Sequence, residues 1–460
     1  MLLRTLIFAL LLWGGAIAEL PSVADYPSIQ TAIDANPGTM VHVPPGEYRI
    51  DTAIRIGGSG GGLYGFATII QSNPAASILE IYQGKDLRLN SLTLKRSGEG
   101  VATEPGIMCR ESENIDLEGL EVVSHHGRAA AIEIRSCKNS TVRDCLIQDY
   151  KAVTVDDRTQ SPLHGYSFRC IDGTGIIVNV STGTRLLDNR ILESRLWPTR
   201  AMKDEHKLGE MLVRPEKQTR LIPPDAWESG YVNNWHQGSG IVVTGPRDTR
   251  GTVIRGNVIE HAAQGIDLHS DEVLCVDNVV RYGMMGVKMT HGCSNVIVKG
   301  NLLSYIDLWG ILVNPGSSSN YARVDGDTVK ENNHDSGIMI VDNMISHYGY
   351  GDEYWNWGGQ HKDGGGSYAI ALLGPQLPEE NPPLSDILIQ GNMVYDSGRT
   401  GKIKDGAVVV EPPRYRYAIR VEGTPGSDTF PKNLIIRDNL FHPGKDGICN
   451  LPELIDRNPE

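Results

Sequence analysis

The sequence lacks the positive charge that nucleic acids and anionic membranes select for. Its 43 Lys and Arg face 56 Asp and Glu, a formal balance of −13, so no electrostatic footprint for either partner exists. An acidic body still admits an acidic substrate where a local cleft is basic. Glycine is abundant, 52 of 460 residues, yet no G-x-y period appears. Collagen is excluded, and the glycines serve turns. Beyond the first residues no apolar run reaches the roughly 18 residues a spanning helix needs. Cysteine is scarce and odd in number: Cys109, Cys137, Cys145, Cys170, Cys275, Cys293 and Cys449. No CxxC pair occurs, which argues against a structural zinc site. At most one or two bridges are expected, with Cys137 paired to Cys109 or Cys145. P-loop, dinucleotide and Ser-His-Asp signatures are missing from any supporting context.

What is present begins with residues 1–18. Arg4 precedes an apolar stretch from Leu6 to Trp13, and Ala16-Ile17-Ala18 is a small-x-small cleavage site. This reads as a secretory signal peptide. The expectation is a mature chain of residues 19–460 forming one domain, secreted or periplasmic, without a membrane span and monomeric.

The mature chain repeats. Leu186-Leu187-Asp188-Asn189-Arg190-Ile191 returns as Ile254-Arg255-Gly256-Asn257-Val258-Ile259, and again around Asn278, Asn301, Asn343, Asn392 and Asn439. Each unit holds short β-rich pieces and no convincing helix. A unit of about 21–23 residues cannot bury its own core, whereas stacked units can. The expected fold is all-β, a parallel β-solenoid. Asparagine suits the turn of each coil because it tolerates the left-handed region and its amide can bond the coils above and below. Ahead of the coils, Tyr26 to Asn36 has apolar residues at helical spacing and is expected to cap the open end.

Ser28-Ile29-Gln30-Thr31-Ala32-Ile33-Asp34, then Val41-His42-Val43-Pro44-Pro45-Gly46-Glu47-Tyr48, then Asn-punctuated coils, resembles the pectate-lyase-like right-handed parallel β-helix superfamily over the whole mature chain. The resemblance implies a right-handed solenoid and a secreted enzyme acting on polysaccharide, often a uronate polymer.

A second marker sets the coils in register: a small residue followed by an alternating strand, as in Gly240-Ile-Val-Val-Thr244, Gly265-Ile-Asp-Leu-His269 and Gly286-Val-Lys-Met-Thr290. The first and third residues after the marker are apolar and face the core, so the second and fourth face out. One outward column then runs Glu133, Ile177, Val242, Asp267, Lys288, Leu312, Ala371, Arg420. Its neighbour runs Arg135, Asn179, Thr244, His269, Thr290, Asn314. Coils lie about 4.8 Å apart, so Asp267 and Lys288 should touch, with His269 beside them and His291 within reach.

Two long insertions, 195–237 and 346–367, flank these coils. They bring Trp235, His236, Trp355 and Trp357, read as substrate-binding walls together with Arg135 on the floor. The expected chemistry is removal of the C5 proton of a uronate. His269 serves as base, Lys288 neutralises the carboxylate or is itself the base, Asp267 orients one of them, and His291 donates a proton. β-Elimination by a polysaccharide lyase is the leading reading and C5-epimerisation the close alternative. A calcium ion on Asp267 and Asp271 is a further possibility. Gly265 to His269 also resembles the Asp-Pro-His motif of alginate C5-epimerases, matching Asp267 and His269. Leu268 stands for the Pro, and Gln264 stands where some of those enzymes carry Tyr. Two other classes stay open. A glycoside hydrolase needs paired carboxylates, and Asp156-Asp157 reads as surface. A non-catalytic carbohydrate-binding solenoid would not need the cluster at all.

Overall fold

The computed structural model describes residues 20–456 except 99, 157–166, 198, 214–229, 231–234, 316–319, 325–326, 332, 349–366, 376–380, 397–398, 411 and 414. The signal-peptide reading at residues 1–18 and the two tryptophans Trp355 and Trp357 therefore lie outside the described residues.

Thirty-three short strands join through parallel pairing into one sheet that winds on itself. Each strand pairs with the strand one coil earlier and one coil later, as Ser239–Thr244 does with Ile176–Asn179 and Gln264–Leu268. The result is a right-handed parallel β-helix with three strand-bearing faces. The predicted register is the observed one: Glu133 lies beside Ile177, Val242 beside Asp267, Asp267 beside Lys288, Lys288 beside Leu312, and Ala371 beside Arg420.

Alternation explains the core. Ile241, Val243, Ile266, Leu268, Val287, Met289, Ile311 and Val313 are fully buried inside the coil. Burying each contributes roughly 1.5–3 kcal/mol. The small marker residue also has a packing cause. A methyl group on Gly265 would stand 2.4 Å from Val280 Cγ1 and 2.7 Å from the Gly286 carbonyl oxygen.

The asparagines form a buried ladder. Asn189, Asn257, Asn278, Asn301, Asn343 and Asn392 each donate through Nδ2 to the side-chain oxygen of the next, at 2.9 to 3.0 Å, ending on Asn439. The expectation that these asparagines adopt the left-handed conformation is corrected. That conformation belongs to the residue before each one: Asp188, Gly256, Asp277, Gly300, Asp342, Gly391 and Asp438. Turning is done by a small or acidic residue, and the asparagine amide is left to cross-link coils.

All seven cysteines are buried free thiols, so the expected Cys137 bridge is absent. Cys137 and Cys145 instead place Sγ 3.2 Å from the carbonyls of Arg135 and Arg143. They are small interior groups at coil turns. Burial pushes the Cys145 thiol up to about 12, which keeps it unreactive.

Helix Ile29–Ala35 closes the first coil, with Ile29 and Ala32 in the core and a capping box between Ser28 and Thr31. Insertions leave the third face and re-enter the first. They include the antiparallel pair Ala152–Asp156 and Ser167–Asp172, and the segment bearing helix Arg200–His206. Asp156, expected at the surface, is only 5% exposed because it ends a strand of that pair. On the other side of the first face, Asn320–Val324 and Asp327–Glu331 form a hairpin directly after Leu302–Asn314.

Candidate active site

The first face presents its outward side chains between these insertions. At its centre, Gln264–Leu268 places Asp267 and the end of that strand places His269. Val279–Thr290 adds Lys288, and His291 follows at the turn. His269 Nε2 lies 2.8 Å from Asp267 Oδ1. Lys288 Nζ lies 3.2 Å from the same oxygen and 3.5 Å from Oδ2. The His269 and His291 rings meet edge to face with centroids 5.0 Å apart. The structure thus brings together all four residues singled out in the sequence.

Gln264, noted in the sequence only as standing at the Tyr position of some epimerases, places Oε1 3.3 Å from Lys288 Nζ. Strict alternation from Ile266 would turn it inward; the alternation breaks at Gly265, whose Cβ direction meets Val280 in the core, so the period alone does not reveal Gln264.

The electrostatics follow from burial. The Asp267 side chain is 9% exposed, against 19% for His269 and 18% for Lys288. Burial alone would push its carboxyl up. The His269 and Lys288 charges and the hydrogen bonds from both outweigh this and hold it well below the usual carboxylate range. Asp267 therefore stays ionised and cannot serve as a proton donor near neutrality. When the His269 ring is neutral, an ionised acceptor also fixes its tautomer: Nε2 carries the hydrogen given to Asp267, and Nδ1 carries the lone pair.

Calcium does not fit the pair Asp267 and Asp271. Both Asp267 oxygens face Lys288, and one of them also faces His269. Asp271 Oδ1 instead accepts from the Ser294 backbone and hydroxyl at 3.2 and 2.8 Å. Among the described residues no group of three metal-ligating side chains occurs.

The predicted walls are corrected in part. Trp235 and His236 are 2% and 3% exposed. They face inward because Lys151 Nζ lies 2.9 Å from His236 Nε2, and Trp235 packs with Ile171, Leu196 and Leu208. Neither offers a face to a ligand. Arg135 lies on the outward column three coils from His269 and pairs with Glu133 at 2.7 Å.

Aromatic groups appear where the sequence reading did not seek them. Trp309, Tyr368 and Tyr417 occupy the same outward column as Gln264. With Met285, Leu312 and Ala371 they build an apolar patch on the outside of the coil. The Arg420 guanidinium lies 5.4 Å from the centre of the Tyr368 ring. The first face thus changes from polar at Asp267 and Lys288 to apolar, then to cationic at Arg420. A second set of rings, His261, Tyr282, Tyr305 and His347, stacks coil on coil at 5.4, 5.0 and 4.9 Å. All four hold positive φ. Their faces are spent on each other, so this ladder braces the turn rather than offering stacking surface.

No protein-family model and no curated protein sequence matches the chain. Solved structures do. The Agl-KA catalytic domain aligns at a TM-score of 0.52 and 11% identity, over 95% of this chain and 67% of that one. The fold they share with this chain is the right-handed parallel β-helix. A tailspike double mutant of E. coli bacteriophage HK620 in complex with pentasaccharide aligns at 0.50 and 11% identity, over 89% of this chain and 67% of that one. The mannuronan C-5 epimerase AlgE6 A-module of Azotobacter vinelandii aligns at 0.43 and 13% identity, over 96% and 100%. This chain spans 62% of the tailspike chain in another such match. At these identities the likeness defines the fold, and the reaction has to be argued from the site.

Proposed function

We propose that the chain is a carbohydrate-active enzyme that cleaves a uronate-containing polysaccharide by β-elimination. The observation that carries this reading is the Lys288–Asp267–His269 network with His291 at its edge. Each part has a task in the reaction. His269 Nδ1 takes the proton from C5, its ring held by the Asp267 carboxylate, which also stabilises the imidazolium that forms. The electron pair of the C5–H bond becomes the C4–C5 double bond. The C4–O4 bond breaks, and O4 receives a proton from His291, which enters the step as the imidazolium and leaves it neutral. Lys288 sits where a cation is needed beside the uronate carboxylate, whose charge grows as C5 loses its proton. Solvent exchange returns both rings to their starting states.

The arrangement speaks against the hydrolase reading, because among the described residues the cluster holds a single carboxylate and that one is kept ionised. Epimerisation shares the first step and then needs a proton from the opposite face of the sugar. His269, Lys288 and His291 all rise from one face of the coil, and a proton taken and returned on one side favours elimination. The test is ultraviolet absorbance of the unsaturated uronate end during incubation with alginate, pectate and glycosaminoglycans. The expected result is a rise with one polymer. A flat trace combined with solvent deuterium at C5 would transfer the assignment to an epimerase, and a flat trace without deuterium would remove C5 chemistry altogether.

A further inference from the structure

Lys288 is the cation the site offers to a uronate, and two neighbours already share it. Its Nζ lies 3.2 Å from Asp267 Oδ1 and 3.3 Å from Gln264 Oε1. Gln264 and Asp267 belong to one strand, Gln264–Leu268, and the ammonium from the next coil contacts both. Asp267 stays ionised. A substrate carboxylate approaching Lys288 on the Asp267 side would meet a like charge at short range. On the Gln264 side it meets a neutral amide.

The contact with Lys288 also fixes how that amide is turned. An ammonium only donates, so the atom facing it is the carbonyl oxygen Oε1, and the NH2 group is the end left for another partner. Among the described residues Nε2 meets no acceptor, and it is not sealed from water. The remainder of the residue is held. Its backbone N–H donates to the Gly238 carbonyl at 3.2 Å. Its register partners in the adjacent coils, Ser239 and Met285, are buried. Two N–H donors are thus presented in a set direction beside the Lys288 charge. An amide moves no proton at neutral pH, so its part is recognition.

We infer that Gln264 is a substrate-binding residue that donates through Nε2 to the uronate carboxylate, forming with Lys288 a two-armed seat for that group. The inference deepens the elimination reading and rests on it for the identity of the ligand. A carboxylate brings two oxygens, and the seat offers one charged and one neutral donor. The preset orientation of the neutral arm lowers the ordering cost of binding. As the electron pair leaves the C5–H bond, the carboxylate oxygens gain negative charge, and the bond from Nε2 strengthens with it.

The experiment is nitrogen-15 NMR of the glutamine side chains in the full chain carrying His269→Ala, so that a bound oligouronate is not consumed. The Gln264 signal is assigned by Gln264→Met. Oligouronates from alginate, pectate and glycosaminoglycans are titrated, each beside its carboxyl-reduced counterpart. The Gln264 NH2 signal should shift with one oligouronate and stay in place with the reduced sugar. Calorimetry in the same background should show Gln264→Met weakening that oligouronate by about 10–100-fold, the range of a hydrogen bond to a charged group. Gln264→Glu, which sets a carboxylate there, should weaken it further. A residue that merely restrains Lys288 predicts the reverse for Gln264→Met, because the freed ammonium holds or raises the affinity. An NH2 signal unmoved by an oligouronate that binds overturns the inference. So does undiminished affinity in Gln264→Met, or the failure of every oligouronate to bind. A shifted signal without unsaturated product from the wild type retains the seat and overturns the elimination reading.

Discussion

Among the described residues two lysine–histidine clusters occur, and their difference shows what suits one of them to be the proposed reaction site. Lys288 lies against a carboxylate on the outer side of the first face, partly open, with His269 on the same oxygen. Lys151 is buried, with Nζ 2.9 Å from His236 Nε2 and 3.0 Å from the His261 carbonyl oxygen. Its direct partners are neutral. Burial therefore pushes its ammonium down to about 7, despite the attraction of Glu193 and Asp172. Burial and then Lys151 likewise hold His236 well below its ordinary range. Lys151 reaches across the coil interrupted after Glu193 and satisfies a carbonyl on the far side. It is a pillar at the root of an insertion. The same residue types thus serve chemistry where an anion keeps the charge at an open face, and architecture where no anion touches the amine.

Breaking the first cluster gives the largest effect. Asp267→Asn should cost about 10²–10⁴-fold in turnover, the range of a lost acid–base arrangement, while Lys151→Met should leave turnover within about threefold. Steady-state assays of the two side by side check this. Equal losses would erase the distinction between the clusters.

The second effect is on stability. The folded-state value for Lys151 lies below its unfolded value of 10.5, so the unfolded chain binds more protons between the two. Its contribution is full above about pH 10.5 and is lost as pH falls through about 7. Thermal unfolding across that window should show stability rising with pH in the wild type and a flatter profile in Lys151→Met. Asp335 has the opposite sign. Burial pushes its carboxyl up to about 8 from 3.8, against the hydrogen bonds from Cys293 and Gly292. The folded chain there binds more protons, so stability is full below about pH 4 and is lost as pH rises through 8. Asp335→Asn should remove that decline in the same melts.

Smaller effects sharpen the contrast between site and frame. Asn278→Ala breaks two rungs of the ladder and should cost about 1–3 kcal/mol in denaturant unfolding without altering KM. Smallest of all, thiol reagents should label no cysteine in the native chain and all seven after unfolding. Reductant should leave the unfolding midpoint unchanged.

Legibility in the sequence followed the strength of local rules. The outward column from Glu133 to Arg420 was readable because alternation and the small marker fix register coil by coil, and backbone pairing leaves little freedom. The meeting of Asp267, His269, Lys288 and His291 followed from that register. The fates of Trp235 and His236 were not readable, because an insertion carries no period and its inward turn depends on Lys151, 85 residues away from His236. Asn333 was hidden for the same reason: it returns from a hairpin, and only the stacking of coils places it against His291. The cysteines misled because small buried thiols and small hydroxyls fill the same turn positions, as Cys137 and Ser181 do in adjacent coils.

The central claim is that the Asp267 network removes a uronate C5 proton and expels O4. The most direct measurement is ultraviolet absorbance of the unsaturated product over a panel of uronate polymers, with wild type, His269→Ala and Lys288→Ala in parallel. The account predicts a rise with one polymer for the wild type and a trace at least about 10²-fold slower for each variant. A rise that survives both substitutions, or no rise with any polymer, would contradict it.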